Sequence, residues 1–289
     1  MGDYRRVRGN SVISIAAMIG TPDLQAETLA IYSGDLIAAF GKVAALGYDG
    51  VEFMMKDPSR LDGPQLRRCL DENHLELAAI CSGHIYGEDG LGLVDPDEGV
   101  CRRAMERMTS IVDFAAAHFD PETLVTIGRS RGPGYPGNPT RSVDRMEAAF
   151  RELADYARPR CVRVVLEPIN VHQANHIHTT QEGIEMVRRV NRPNFGLMLD
   201  VYHMNIEDVD IYDSLREAAG MCWFVHFADN NRHWPGSAHL DFRRIVDVLN
   251  EIGYSGYVSM EILPWPDPDT AARSTIESLR RYIPGNRRQ

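Results

Sequence analysis

The chain has 289 residues, 44% of them hydrophobic and 25% charged, with a formal net charge of −10. This is a soluble globular profile, long enough to bury a full core, and its acidic balance argues against a nucleic-acid partner, whose phosphates require a basic face. No apolar run approaches the ~20 residues that span a bilayer, and only a brief apolar run follows the basic opening MGDYRRVRGN, too weak for a signal peptide. A cytoplasmic protein without a membrane partner is therefore expected.

The predicted elements alternate along the chain. A strand at 11–17 leads to the helix DLIAAFGKVAALGY, closed by Gly47 where a left-handed cap is needed. A second strand at 49–55 ends beside Lys56, and a third is expected at 75–81. The apolar residues of CRRAMERMTSIVDFAAAHF recur at three- and four-residue spacing, as an amphipathic helix requires. After a fourth strand at 123–128 comes the Gly/Pro-rich stretch RGPGYPGNPT (131–140), expected to form a lid or rim. The helix RMEAAFRELADYA, a strand at 161–167 and the capping-box pattern Thr179-Thr180-Gln181-Glu182 before IEMVRRV follow. Strands at 194–200 and 222–227, the helix FRRIVDVLNEIGY ending at Gly253 and a strand at 256–262 complete the pattern.

Eight strands alternating with eight helices predict a parallel sheet with right-handed crossovers. Closure into a single (β/α)8 TIM barrel is the simplest solution, and its usual ~250 residues leave no sequence over for a second domain. An open doubly wound sheet is the rival, but no GxGxxG or GxxxxGK[ST] follows the first strand.

Four side chains placed at the ends of consecutive apolar runs carry the chemistry: Glu167 in VRVVLEPIN, Asp200 in FGLMLDVYHMN, His226 in CWFVHFADNNR and Glu261 in YVSMEILP. Acidic residues are common at strand ends for solvation, so none is a signal alone. A barrel gathers the C-terminal ends of its strands at one face, where its active sites lie. Three carboxylates and an imidazole suit one divalent cation bound by oxygen and nitrogen, and two of the glutamates could also move protons. His203, three residues past Asp200, and Arg232, six past His226, would lie over such a site, the arginine offering a fork of donors. The run His172, His176 and His178 fits no standard zinc spacing and is expected in a loop and helix cap. Cys69, Cys81, Cys101, Cys161 and Cys222 are scattered without a CxxC, which predicts reduced, structural thiols. Only Lys42 and Lys56 are lysines, and Lys56 alone could reach a barrel mouth for Schiff-base chemistry.

The stretch LEPIN…TTQEG…FGLMLDVYHMNIED…HFADNNRHWPG…LDF…LNEIGYSGYVSMEI resembles the sugar-phosphate isomerase/epimerase family of xylose isomerase-like barrels, and within it the ketose 3-epimerases and keto-sugar-acid epimerases. The resemblance is strongest over 161–265 and weaker upstream, in GYDGVEF, LVDPDEGVCRRA and VTIGRSRG. It implies one xylose isomerase-like domain over 1–289, acting on a small-molecule keto-sugar or keto-sugar acid through a metal-stabilised enediolate. By the same resemblance Glu167, Asp200, His226 and Glu261 would hold manganese, with cobalt, magnesium or zinc as alternatives. Glu167 and Glu261 would be the acid/base pair, and His203, Arg232 and Gln173 would touch the substrate. A homo-oligomer, dimer or tetramer, is implied as well. One departure stands out: Gln173 replaces the carboxylate common in that family, leaving a neutral hydrogen-bonding group. An inosose or dehydroshikimate-type dehydratase on the same metal site is the alternative. An endonuclease IV-like phosphodiesterase is a further one, disfavoured by the charge balance and the single evident metal set.

Overall fold

The computed structural model describes residues 13–25 and 28–284. In chain order the strands are β1 (Ser14–Gly20), β2 (Tyr32–Ser33), β3 (Gly50–Met54), β4 (Glu76–Cys81), β5 (Leu124–Ile127), β6 (Arg163–Leu166), β7 (Phe195–Asp200), β8 (Cys222–Phe227) and β9 (Tyr257–Met260). All neighbours pair in parallel. The order is β2-β1-β3-β4-β5-β6-β7-β8-β9, and β9 returns to pair with β1, from Ser14 opposite Tyr257 to Ala17 opposite Met260. Eight strands thus close into a barrel, as the alternating pattern predicts; β2 is a two-residue addition beside β1.

The surrounding helices are α1 (Leu36–Leu46), α2 (Gly63–Glu72), α3 (His84–Gly87), α4 (Glu98–His118), α5 (Pro139–Ala157), α6 (Thr180–Val190), α7 (Val201–Glu207), α8 (Ile211–Glu217), α9 (Phe242–Glu251) and α10 (Pro268–Leu279). The main helices pack by amphipathicity. In α9, Phe242, Ile245, Val246, Val248 and Leu249 are buried, while Arg243, Arg244 and Asp247 lie between them in sequence on the outer side. Aspartates begin many of them: Asp35, Asp62, Asp97, Asp241 and Asp267 each accept a backbone N–H of the first turn. The capping box before α6 is formed in full, Thr179 and Glu182 each satisfying the other's backbone amide. Thr179→Ala should therefore lower stability by about 1 kcal/mol, measured as a shift in the denaturation midpoint without a change in slope.

Three departures from the sequence pattern have local causes. The first strand runs over Ser14–Gly20 rather than 11–17; VISIAAMIG is largely apolar, with Ser14 its one polar side chain, and residues 11 and 12 lie outside the described ones, as does the basic opening. More than eight helices form, because the loops after β4 and β7 contain the short α3, α7 and α8. The last strand ends at Met260, so Glu261 and Ile262 begin the loop. Glycines meet the cap expectation, Gly47 adopting a left-handed φ of 88° after α1 and Gly253 a φ of 71° after α9.

Two packing layers place the active face. Between strands and helices lies the large core, to which Val51, Phe53, Val258 and Met260 contribute. Inside the barrel, Ala16, Ala79, Leu124, Val165, Met198 and Phe224 form a separate apolar cluster. That inner cluster is the floor on which the polar residues at the C-terminal strand ends sit. Among the described residues no helix is long and apolar enough to cross a membrane.

Candidate metal centre

The four strand-end residues converge. One ligand-type atom from each of Glu167, Asp200, His226 and Glu261 lies within 4.8 Å of the others. Asp200 closes β7, His226 stands opposite it in register on β8, and Glu167 and Glu261 directly follow β6 and β9. All four are buried, Asp200 and His226 almost completely. Gly128 lies close to Glu167: a Cβ there would stand 2.7 Å from Oε2, so the carboxylate would have to shift.

The residues expected over the cluster are there. Arg232 is buried, stacks 4.5 Å over the Tyr202 ring, and forks onto Asp200 Oδ2 through Nη1 and Glu261 Oε2 through Nη2. Its loop is held from within by Asp229, a fully buried carboxylate that accepts the backbone amides of Asn230, Gly236, Ala238 and Leu240. Arg232 takes a φ of 62° there, and its own amide donates to the Asp229 carbonyl. His203, on α7, receives a hydrogen bond at Nδ1 from Asn170 Nδ2 at 2.7 Å. Its proton is thereby left on Nε2, which lies 3.7 Å from Asp200 Oδ2 and 3.8 Å from Glu167 Oε1.

Other sequence candidates lie apart. Gln173 sits exposed in the loop between Asn170 and His178, with its backbone amide turned to Asn170 and no described side-chain hydrogen bond to the cluster. His178 Nε2 meets the Ala174 carbonyl at 3.0 Å, consistent with a loop and cap rather than a second metal site. The Gly/Pro-rich segment packs down as a rim: Arg131 is fully buried and donates to the Glu167 carbonyl, and Pro133 accepts from Asn175. Lys56 binds Glu88 at 2.7 Å and Asp89 at 3.2 Å, and the Glu88 hydrogen bond holds its ammonium above the usual value, which disfavours a neutral amine nucleophile.

One functional neighbour escaped the sequence reading. Glu52, in the middle of β3 and fully buried, accepts from His226 Nε2 at 2.9 and 3.1 Å. Its only signal was a carboxylate inside an otherwise apolar strand, GVEFM.

The electrostatics are those of crowded carboxylates. Burial, reinforced by the charges of Glu261 and Asp200, pushes the Glu167 carboxyl up to about 8. Burial would raise Glu261 too, but Arg232 and His226 outweigh it and hold that carboxyl well below its usual range. Burial would lower His226, yet Glu52 and Glu261 hold it well above an ordinary imidazole. Burial lowers His203 to about 4, so that ring is neutral at pH 7.

A divalent cation fits these residues on two counts. Glu167 Oε1 and His226 Nδ1 are buried and lack any hydrogen-bond partner, and orphaned buried atoms of this kind call for a ligand. Both belong to residues of the converging set, and they lie 3.8 Å from each other. Three carboxylates and one imidazole nitrogen are a donor set for manganese, cobalt, magnesium or zinc.

Comparisons with known proteins agree with this geometry. The family described as the xylose isomerase-like TIM barrel matches residues 40–282. The chain is 31% identical over 268 residues to the 3-dehydro-D-guloside 4-epimerase of Escherichia coli (strain K12), covering 88% of this chain and 97% of that protein. It is 29% identical over 240 residues to the L-ribulose 3-epimerase of Methylomonas sp. (strain DH-1), covering 80% and 81%. In three dimensions a D-allulose 3-epimerase from Methylomonas sp. superposes with a TM-score of 0.77, at 24% identity and over 94% of this chain and 100% of that one. At that identity the superposition speaks for the fold.

Proposed function

The chain belongs to the xylose isomerase-like TIM barrel family, and from that premise we propose that it is a divalent-metal-dependent epimerase of a keto-sugar or keto-sugar derivative, working as one catalytic domain. The observation that carries the proposal is the convergence of four buried ligand-type residues at the mouth of the barrel, two of them glutamates, with Glu167 Oε1 and His226 Nδ1 lacking hydrogen-bond partners. Relatives named as 3- and 4-epimerases of sugars support the reaction class.

In this reading Glu167, Asp200, His226 and Glu261 hold the cation. When bound, it supplies electrophilic stabilisation for negative charge on adjacent substrate oxygens. The proton α to a ketone is weakly acidic, so its removal needs a base within hydrogen-bond reach and a donor for the return step. Glu167 and Glu261 are the pair for this work. His203, neutral with Nε2–H turned to the cleft, donates to a substrate oxygen, and the Arg232 guanidinium positions another. Gln173, exposed in the loop after Asn170, is the remaining candidate for a contact with the substrate.

The test is a panel of keto-sugars and 3-keto-glycosides incubated with the metal-loaded protein in deuterium oxide. Deuterium should enter at one carbon α to the carbonyl, with the epimer appearing and no water lost. Release of water with an absorbing enone would favour the dehydratase instead, and no exchange with any sugar of the panel would count against both.

A further inference from the structure

Glu52 has no place in the proton transfer proposed above, yet it is a carboxylate buried completely inside the barrel. Ionised carboxylates are costly to bury unless paired. Both described hydrogen bonds of this one go to a single atom, His226 Nε2, at 2.9 and 3.1 Å. The pairing spans the barrel rather than joining neighbours, since β1 and β9 lie between β3 and β8 in the sheet. Val51 and Phe53 on β3, like Val258 and Met260 on β9, pack outward against the helices. Strand alternation therefore turns Glu52 and Ser259 inward. Ala16 faces the same interior, and Ser259 is its register partner. Both are small and fully buried.

The consequence falls on the other ring nitrogen. His226 Nδ1 is buried without a hydrogen-bond partner and lies 3.5 Å from Glu261 Oε2 and 3.8 Å from Glu167 Oε1. An imidazole binds a cation through a nitrogen lone pair, and which nitrogen is free is set by the hydrogen bond that the other makes. We infer that Glu52 is a positioning residue for the cation site: by holding the His226 Nε2–H it fixes the ring so that Nδ1 is the donor atom offered to a divalent cation. The carboxylate also increases the basicity of the ring as a ligand, the role that such outer partners play at histidine metal sites. The inference rests on the proposed metal reading and assigns a residue that the strand-end pattern does not include.

The test needs no sugar. The full chain, stripped by chelation, is titrated with Co2+ alone and with Mn2+ alone by calorimetry, as parent and as Glu52→Gln. Glutamine keeps the shape and can still accept from Nε2, but without charge, so metal Kd should rise about 10–100-fold. Ser259→Ala, in the same buried layer with no described bond to His226, serves as the control and should change Kd less than twofold. The Glu52→Gln effect should also vanish in a His226→Gln background, titrated at millimolar Co2+, because Glu52 acts through that ring. An unchanged Kd in Glu52→Gln would overturn the inference, as would an equal loss in both backgrounds or in the Ser259→Ala control. Failure of the parent itself to bind either ion would strike the metal reading, and this inference with it.

Discussion

Glu261→Gln is expected to lower kcat for the epimerised sugar by at least about a thousandfold while the protein remains folded. Two losses combine. The carboxylate is one of the two groups placed to exchange a proton with the substrate, a contribution of about 10²–10⁴-fold at positioned acid–base sites. It is also one of the four donors gathered within 4.8 Å, so a neutral amide weakens the cation as well. The fold should survive because Glu261 lies just past β9, and Arg232 keeps its second partner on Asp200. Near-UV circular dichroism matching the parent, together with kcat at saturating metal, separates chemistry from folding. A loss below tenfold would remove Glu261 from the chemistry.

Arg232→Met should have the largest effect on stability, and its size depends on metal. The buried guanidinium bridges Asp200 and Glu261; among the described residues Asp200 otherwise has the neutral His203 ring beside it, and Glu261 the His226 ring. Breaking a buried pair by removing one partner costs about 3–5 kcal/mol, because the remaining charge is stranded. In chelated protein, denaturant unfolding should show a loss of that order. Added Mn2+ should recover part of it, since a cation bound to the same carboxylates supplies the missing positive charge and stabilises the folded state by mass action. A variant as stable as the parent without metal would show that the fork carries little energy. One that Mn2+ fails to stabilise would show that the carboxylates do not bind it.

Much of the architecture was legible because it is periodic. Parallel strands covered on both faces read as continuous apolar runs, and VRVVL, FGLML and CWFVHF became β6, β7 and β8 nearly as expected. The same continuity hid the ends: in VISIAAMIG a single serine, Ser14, inside an apolar run is where β1 starts. The four donors were legible since each breaks an apolar run at its C-terminal end, where a barrel concentrates chemistry. Glu52 breaks its run in the middle, and its partner is 174 positions away, so only the closed barrel reveals the pairing. The position of Gln173 was beyond the sequence too, because side-chain direction in an irregular loop follows from packing rather than from spacing.

The claim on which the account depends is that one divalent cation, held by Glu167, Asp200, His226 and Glu261, is required for turnover. The most direct measurement is metal content and epimerase activity on the same samples, chelated and then reloaded with Mn2+, for the parent and for His226→Ala. The account predicts no activity in the chelated parent, recovery at one ion per chain, and no recovery in His226→Ala at that loading. Full activity in exhaustively chelated parent, with metal content near zero, would contradict it.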